Sequence, residues 1–198
     1  GALDEARKKI AKFLNCSPAE IIFTSGGTEA DNLAIRGIAS NFQFSISNFQ
    51  SNPKSQIPKF VPHIITSAFE HHAVLTTCEE LEKQGLAEVT YIKPDNEGII
   101  HVDDIEKAIK FNTILISIMY VNNEIGTIQP INEISKMISR NNELRIKNNG
   151  KNHNSSFPPA SSELSFGGRG MIHNSIIYFH TDAVQAVEYQ EMNVQKLG

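Results

Sequence analysis

The chain has 198 residues, of which 40% are hydrophobic and 20% are charged, and its formal net charge is −4. This length is enough for one domain with a sizeable core, or for part of a larger protein. The slight negative charge argues against a nucleic-acid-binding surface, and no apolar run approaches the roughly 20 residues that span a bilayer. The two cysteines, Cys16 and Cys78, do not make a disulfide framework, so we expect a reducing compartment.

Apolar spacing in the first part of the chain predicts helices that alternate with strands. A helix over residues 3–14 is followed by a strand at 21–24 and by a helix that begins near Thr28. Residues 41–60 are rich in Asn, Ser and Gln and are predicted to form a mobile surface insertion. We expect the helix after Thr28 to bury four apolar residues, Ala30, Leu33, Ala34 and Ile38.

The alternation continues to the end of the chain. The strand at 113–121 is almost continuously apolar, as expected of a central parallel strand that is buried on both faces. Residues 141–174 have few aliphatic side chains to offset the entropy of ordering, so they are predicted to form a second mobile insertion. This alternation predicts an α/β fold with a mostly parallel, doubly wound sheet. The other predicted elements are strands at 62–66, 89–92 and 175–180 and helices at 71–83, 102–109 and 130–140.

Four of the predicted strands end in polar clusters. In open α/β sheets, ligands bind outside the carboxyl ends of the strands, so these clusters are candidates for one shared site. The clusters are Ser25-Gly26-Gly27-Thr28, Glu70-His71-His72, Asn122-Asn123-Glu124 and the segment from His180 through Asp182 to Gln185.

The first cluster is typical of an anion site. Its two glycines let the backbone approach a ligand closely, and the helix N-terminus that follows favours a phosphate. Thr28 could add a hydroxyl donor. The loop matches neither the GxGxxG fingerprint nor the Walker A motif, and a glycine-rich turn capped by Thr28 is an equally good interpretation.

The other clusters offer groups that suit a flat, charged ring. Asp182 could bind a positively charged ring nitrogen, with Gln185 near a neighbouring oxygen and the asparagines supplying amide donors. One imidazole of His71 or His72 could stack on the ring, but adjacent helical side chains point about 100° apart, so both do not face one ligand easily. No metal-binding spacing occurs. Capping and turn roles stay open for each residue.

Five segments occur in this order along the chain: TSGGTEADNLAIRG, ITSAFEHHAVLTTCEELE, EVTYIKPDNEGII, TILISIMYVNNEIGTIQPI and YFHTDAVQAV. Together they resemble the cysteine desulfurase and selenocysteine lyase group of the class V aminotransferases, which use pyridoxal 5′-phosphate. The resemblance covers nearly the whole chain outside the two insertions. It implies that residues 1–198 are part of the large, cofactor-binding domain of a fold type I pyridoxal-phosphate enzyme.

The resemblance also implies which residues hold the cofactor. His71 and Asp182 would be catalytic as well, because the charge of Asp182 should keep the ring nitrogen protonated. No metal is implied. The implied cofactor-binding residues are Gly27 and Thr28 at the phosphate, His71 on the ring face, Asn123 and Gln185 near the ring oxygen, and Asp182 at the pyridine nitrogen.

The implied reaction removes sulfur from L-cysteine to give alanine and an enzyme persulfide for iron–sulfur cluster assembly or thiolation. A homodimer, a sulfur-acceptor or scaffold protein, and a location in the cytoplasm or a mitochondrion-like organelle are implied with it. Selenocysteine lyase and a non-catalytic interaction module on the same fold are the alternatives. The Schiff-base lysine and the sulfur-accepting cysteine should lie beyond Gly198, so residues 1–198 alone are expected to be inactive.

Overall fold

The computed structural model describes residues 1–50, 61–151 and 176–197. From β1 onward the helices and strands alternate as predicted, and within the described ranges no helix is long and apolar enough to cross a bilayer. In chain order the elements are α1 (Ala2–Leu14), a short 3-10 helix (Pro18–Glu20), α2 (Gly27–Gln50), β1 (His63–Ser67), α3 (His72–Lys83), β2 (Glu88–Ile92), α4 (Val102–Ala108), β3 (Thr113–Ser117), α5 (Ile131–Lys151), β4 (Tyr178–His180) and α6 (Val194–Leu197).

The four strands form one parallel sheet in the order β2-β1-β3-β4. His63 at the start of β1 lies opposite Glu88, and Ser117 at the end of β3 lies opposite His180. The chain runs outward from β1 to β2, then returns to β3 on the other side of β1 and continues to β4. The strand order therefore reverses between β1 and β3. The predicted parallel α/β sheet is confirmed, although β3 ends before the predicted limit of its strand.

Two hydrophobic clusters cover opposite faces of the sheet. Ile65 and Ile116 pack with apolar side chains of α4 and α5, whereas Ile64 and Leu115 pack with those of α2 and α3. Neighbouring residues of a strand point to opposite faces, so β1 and β3 contribute to both clusters. Every residue of these two strands is buried. Helices on both faces make the sheet doubly wound, as the sequence predicts.

Residues 21–24 do not form the predicted strand. Ile21 has extended dihedral angles, but Ile22 is 72% exposed and Phe23 is 41% exposed. A strand needs a neighbour for its backbone N–H and C=O groups, and an apolar sequence does not supply one by itself. The segment still leads the chain into the glycine loop at the start of α2.

Helix α2 buries a stripe that differs from the predicted one. Asp31, Ile35 and Ala39 are buried at a spacing of four residues, whereas Ala30 is exposed and Leu33 is 52% exposed. The prediction that Ala30 and Leu33 face the core is therefore wrong. Residues four apart lie on the same side of a helix, so the buried stripe turns the Asp31 carboxylate toward the protein interior.

Both predicted insertions begin with helix. Helix α2 continues to Gln50 and α5 continues to Lys151, well past their predicted ends. Asn142 of α5 donates from Nδ2 to the carbonyl oxygen of Ile177 at 3.0 Å and accepts the Ile177 N–H on Oδ1 at 2.9 Å. These bonds fasten α5 to the segment that enters β4. The remainder of both insertions lies outside the described residues, so their mobility stays a prediction.

Candidate active site

A cleft of about 250 Å³ opens at the carboxyl ends of the strands. It lies where the strand order reverses between β1 and β3, which is where open α/β sheets bind ligands. Its volume is below the roughly 300–1,000 Å³ of sites for drug-sized ligands, so it suits a compact one-ring ligand better than a dinucleotide. The structure brings all six predicted site residues to this cleft, Gly27, Thr28, His71, Asn123, Asp182 and Gln185.

The N-terminus of α2 forms one end of the cleft. The carbonyl of Gly26 accepts the N–H of Ala30 at 3.1 Å, so the helix begins directly after the glycine pair. The N–H groups of the first turn have no intrahelical acceptor and carry the positive end of the helix dipole. Thr28 adds an exposed hydroxyl. A Cβ atom on Gly27 would lie 3.2 Å from Cγ2 of Val184, so the glycine makes room for that side chain. This end suits an anion.

His71 contributes a fixed imidazole ring. It precedes α3, and its Nδ1 accepts the N–H of Ala73 at 3.1 Å. A neutral ring in this position carries its proton on Nε2. The rings of His71 and His72 have centroids 6.4 Å apart and an interplanar angle of 65°, and only His71 lines the cleft. The two adjacent histidines therefore diverge as expected, while His71 both caps the helix and faces the cleft.

The two asparagines that follow β3 differ in position. Asn122 is buried, and its Oδ1 accepts the N–H groups of Glu124 at 2.9 Å and Ile125 at 3.0 Å. Its Nδ2 donates to the carbonyl oxygen of Phe69 at 3.0 Å. Asn123 is exposed and lines the cleft. The bonds of Asn122 hold the turn that presents Asn123.

Asp182 lies just beyond β4 and is tied to the neighbouring strand through its backbone. The carbonyl of His180 accepts the N–H of Ile118 at 3.1 Å, and that of Asp182 accepts the N–H of Tyr120 at 2.9 Å. The side chain accepts the N–H of Val184 on Oδ1 at 3.0 Å. Asp182 therefore caps a turn, as the simpler interpretation suggested, and also lines the cleft.

Glu70 is a buried carboxylate to which the sequence assigned no role. Its Oε1 accepts the hydroxyl of Ser67 at 2.5 Å and the N–H of Met119 at 2.9 Å. Its Oε2 is buried and has no hydrogen-bond partner among the described residues. Burial, helped by the charges of Asp182 and Asp31, raises the pKa of Glu70 to about 7. The carboxylates of Glu70, Asp31 and Asp182 therefore lie close enough to interact, and those of Asp31 and Asp182 line the cleft.

This raised pKa makes the stability of the fold depend on pH. The folded state holds the Glu70 proton up to about pH 7, whereas the unfolded state loses it near pH 4.5. The stability contributed by neutral Glu70 is therefore complete below pH 4.5 and is lost as the pH rises to about 7. We expect Glu70→Gln to remove this loss. Relative to the parent, the variant should gain on the order of 2–3 kcal/mol of unfolding free energy between about pH 5 and pH 8.

Urea unfolding of the complete protein at both pH values measures this difference. Glu79→Gln, on the exposed side of α3, is the matched control and should follow the parent at both pH values. A Glu70→Gln variant with the same pH dependence as the parent would contradict the assignment of the buried proton.

Neither cysteine lines the cleft. Cys78 is fully buried on α3, and this burial raises the pKa of its thiol to about 12, so it stays protonated and unreactive. Cys16 follows the end of α1. The interpretation of Cys78 as a structural core residue is confirmed. Within the described ranges, no three His, Cys, Asp or Glu side chains are grouped to hold a metal ion.

Comparison with known proteins assigns the chain to a family. Residues 1–146 match the family described as aminotransferase class-V. The chain belongs to the class V aminotransferases. It is similar to the cysteine desulfurases IscS of Dictyoglomus turgidum and Methanosarcina thermophila, each 43% identical over 197 residues. These matches cover all of the chain but only 37% and 36% of the two relatives, so the chain spans little more than a third of their length.

Two solved structures that are similar in sequence show the same fold. SspA in complex with cysteine superimposes with a TM-score of 0.72 and 33% sequence identity, covering 99% of this chain and 42% of that one. DndA from Streptomyces lividans superimposes with a TM-score of 0.63 and 31% identity, covering 92% of this chain and 37% of that one. The sheet is therefore that of the fold type I pyridoxal-phosphate enzymes.

The family depends on pyridoxal 5′-phosphate, and the donor set of the cleft fits this cofactor. The α2 N-terminus suits its phosphate, the imidazole of His71 its flat ring, and the carboxylate of Asp182 its basic nitrogen. Amides at Asn123 and Gln185 suit the ring oxygen. The sequence placed Glu70 in one of the polar clusters but assigned it no role, and it did not single out Asp31. A signal for Asp31 was present, since it lies one helical turn after Thr28 and so on the same side of α2.

Proposed function

We propose that the complete protein is a pyridoxal-phosphate-dependent cysteine desulfurase. It would break the C–S bond of L-cysteine, transfer the sulfur atom to an enzyme thiolate as a persulfide, and release alanine after protonation of the substrate carbon. The observation that carries this proposal is the cleft, which gathers an anion site, a ring platform and a carboxylate at one sheet edge. The 43% identity to proteins named cysteine desulfurase supports the choice of substrate.

The residues of this chain would act mainly by binding and orientation. The first-turn N–H groups at Gly27 and the hydroxyl of Thr28 would hold the phosphate. His71 would cover one face of the ring, with its orientation fixed by the bond to Ala73. Asn123 would donate an amide proton to the ring oxygen. Fixed groups of this kind position the reacting atoms before the reaction begins.

Asp182 would supply the main electrostatic effect. When bound, the cofactor supplies an electron sink for the substrate carbanion. The Asp182 carboxylate would accept a hydrogen bond from the protonated ring nitrogen, which stabilises the proton there. The apolar side chains of Met119, Val121 and Val184 line the same cleft and would exclude water, which strengthens this charge interaction.

We further propose that the sulfur passes to an acceptor or scaffold protein for iron–sulfur cluster assembly, and that the complete protein is a homodimer. The name IscS carried by the relatives supports the first proposal. A reducing compartment, in the cytoplasm or in a mitochondrion-like organelle, is proposed as well. The two free cysteines, Cys16 and Cys78, are in agreement with it.

An assay of the complete protein tests the proposed reaction. We expect the purified protein to be yellow from bound cofactor and to release alanine from L-cysteine in equal amount to the sulfide freed by a thiol reductant. Intact-mass measurement before reduction should show one added sulfur atom. Turnover of L-selenocysteine alone would assign the activity to a selenocysteine lyase. Turnover of neither substrate by a folded protein would favour an interaction module.

A further inference from the structure

A buried imidazole–carboxylate pair, His180 and Asp31, lies at the wall of the cleft, and no role has been assigned to this pair so far. His180 of β4 has its Nε2 3.4 Å from Oδ1 of Asp31 on α2. Its Nδ1 lies 2.8 Å from the hydroxyl of Ser117 on β3. The side chains of His180 and Asp31 are 14% and 7% exposed. One histidine therefore connects a helix and two strands.

The second oxygen of Asp31 is unsatisfied. Its Oδ2 is buried and accepts no hydrogen bond from the part of the chain that the structure describes, although Asp31 lines the cleft. A buried carboxylate oxygen without a donor is costly, so such an atom is expected to meet a donor or a cation. The cleft is the open space next to it. Its ligand is thus expected to present positive charge on this side.

The arrangement Ser117–His180–Asp31 has the composition of a hydrolytic triad, but it does not support that chemistry. Ser117 is completely buried and does not line the cleft, so its hydroxyl cannot reach a substrate. The hydroxyl can instead donate to Nδ1 of His180, which leaves the Nε2 proton for Asp31. The geometry therefore holds the imidazole still.

We propose that Asp31 and His180 are a positioning pair for Asp182, and that Asp31 adds a second negative charge at the end of the cleft that receives a protonated ring nitrogen. The inference rests on the proposed function, because the ligand it concerns is a phosphorylated, protonated pyridine. His180 lies two residues before Asp182, and its backbone carbonyl is held by Ile118. Fixing its ring on Asp31 and Ser117 fixes the path of the chain into Asp182.

The same pair links the two ends of the cleft. Asp31 lies on α2, one turn after the phosphate-binding residues Gly27 and Thr28, and Asp182 follows β4. The contact between Asp31 and His180 therefore sets the separation between the anion site and the carboxylate. A ligand that has a phosphate at one end and a cationic nitrogen at the other would have to match this separation.

The test compares two ligands in the complete protein. One is pyridoxal 5′-phosphate, and the other is its analogue in which C–H replaces the ring nitrogen. The ratio of their affinities isolates the contribution of the nitrogen, because the phosphate and any covalent link to the protein are common to both. We expect Asp31→Asn, which keeps the shape of the side chain and an oxygen facing Nε2 of His180, to reduce this ratio about tenfold.

A second variant examines positioning separately from charge. Ser117→Ala keeps every charge but releases the Nδ1 side of His180, and we expect it to reduce the ratio roughly threefold. Asp95→Asn is the matched control, because Asp95 forms a more exposed Asp–His pair with His101 at 2.8 Å. It should leave the ratio unchanged.

The titratable groups around the cleft determine the pH at which the affinities should be measured. His71 and Asp182 line the cleft with Asp31. His180 contacts Asp31, and the charges of Asp31 and Asp182 act on Glu70. Measurement at about pH 8 keeps Glu70 charged in parent and variants, so its ionisation does not offset the loss of Asp31.

Different results would contradict the proposed role of Asp31 and His180 and the proposed function of the protein. If Asp182→Asn abolishes the preference for the ring nitrogen and Asp31→Asn behaves like the Asp95→Asn control, the inference is wrong while the function stands. If the parent has no preference or binds neither ligand, the proposed function itself fails. Should Asp31→Asn not fold by circular dichroism, Ser117→Ala decides alone, and a ratio equal to the parent's would overturn the proposal.

Discussion

Asp182→Asn in the complete enzyme should lower turnover of L-cysteine by about 100- to 1,000-fold, equivalent to about 3–4 kcal/mol of transition-state stabilisation. The substitution removes the charge that we propose keeps the ring nitrogen protonated, while the side chain keeps nearly the same shape. The asparagine Oδ1 can still accept the N–H of Val184, a bond of 3.0 Å in the parent, so the turn is retained. Cofactor should still bind through the phosphate end at Gly27 and Thr28.

Alanine release under saturating L-cysteine, with the bound cofactor quantified by absorbance, measures this effect. Asp103→Asn, at an exposed position in the first turn of α4, is the control and should keep turnover within about twofold of the parent. Parent-like turnover by an Asp182→Asn enzyme that is loaded with cofactor would show that the carboxylate does not act on the ring nitrogen.

Substitutions of the two adjacent asparagines after β3 should have different effects, one mainly on stability and the other mainly on cofactor binding. We expect Asn122→Ala to lower the free energy of unfolding by about 3–4 kcal/mol. The substitution leaves the N–H groups of Glu124 and Ile125 and the carbonyl of Phe69 without their partner. Asn123→Ala should change stability by less than about 0.5 kcal/mol, because that side chain is exposed.

For cofactor affinity we expect the opposite order. In folded protein, Asn123→Ala should weaken binding more than Asn122→Ala does. Asn123→Ala should weaken binding several-fold through loss of one hydrogen bond to the ring oxygen. Denaturant unfolding of the cofactor-free protein and a cofactor titration of each variant provide the two numbers. Equal losses of stability in both variants would show that the turn does not depend on the bonds of Asn122.

Much of the candidate site was predictable from the sequence because its residues occur at similar positions relative to the strands and helices. Each follows an apolar segment or opens a helix, and the carboxyl ends of parallel strands meet at one edge of the sheet. His71, Asn123 and Asp182 therefore converge without any knowledge of long-range contacts. The resemblance to the class V aminotransferases then attached a cofactor and roles to these positions.

Structural features that depend on contact with a second segment of the chain were harder to predict. Residues 21–24 have the composition of a strand, but pairing is a property of two segments, and no strand among the described residues pairs with them. The stripe that α2 buries was also misjudged, because Asp31 is polar and composition places polar residues outside. The Asp31 carboxylate on the buried side contacts Nε2 of His180 at 3.4 Å, a partner that lies far away in the sequence.

The sequence by itself determined most of the alternation of strands and helices, the parallel sheet and the polar clusters at the strand ends, because these follow from local periodicity. The resemblance to the class V aminotransferases selected, within these clusters, the six residues that meet at the cleft. The tertiary structure alone decided which side of α2 is buried, the raised pKa of Glu70, and the burial of one oxygen each of Asp31 and Glu70 without a partner among the described residues. These properties arise from desolvation and from contacts such as that of Ser117 with His180, which join residues far apart in the chain. No local pattern encodes such contacts, since they exist only once the sheet has brought its strands and helices together.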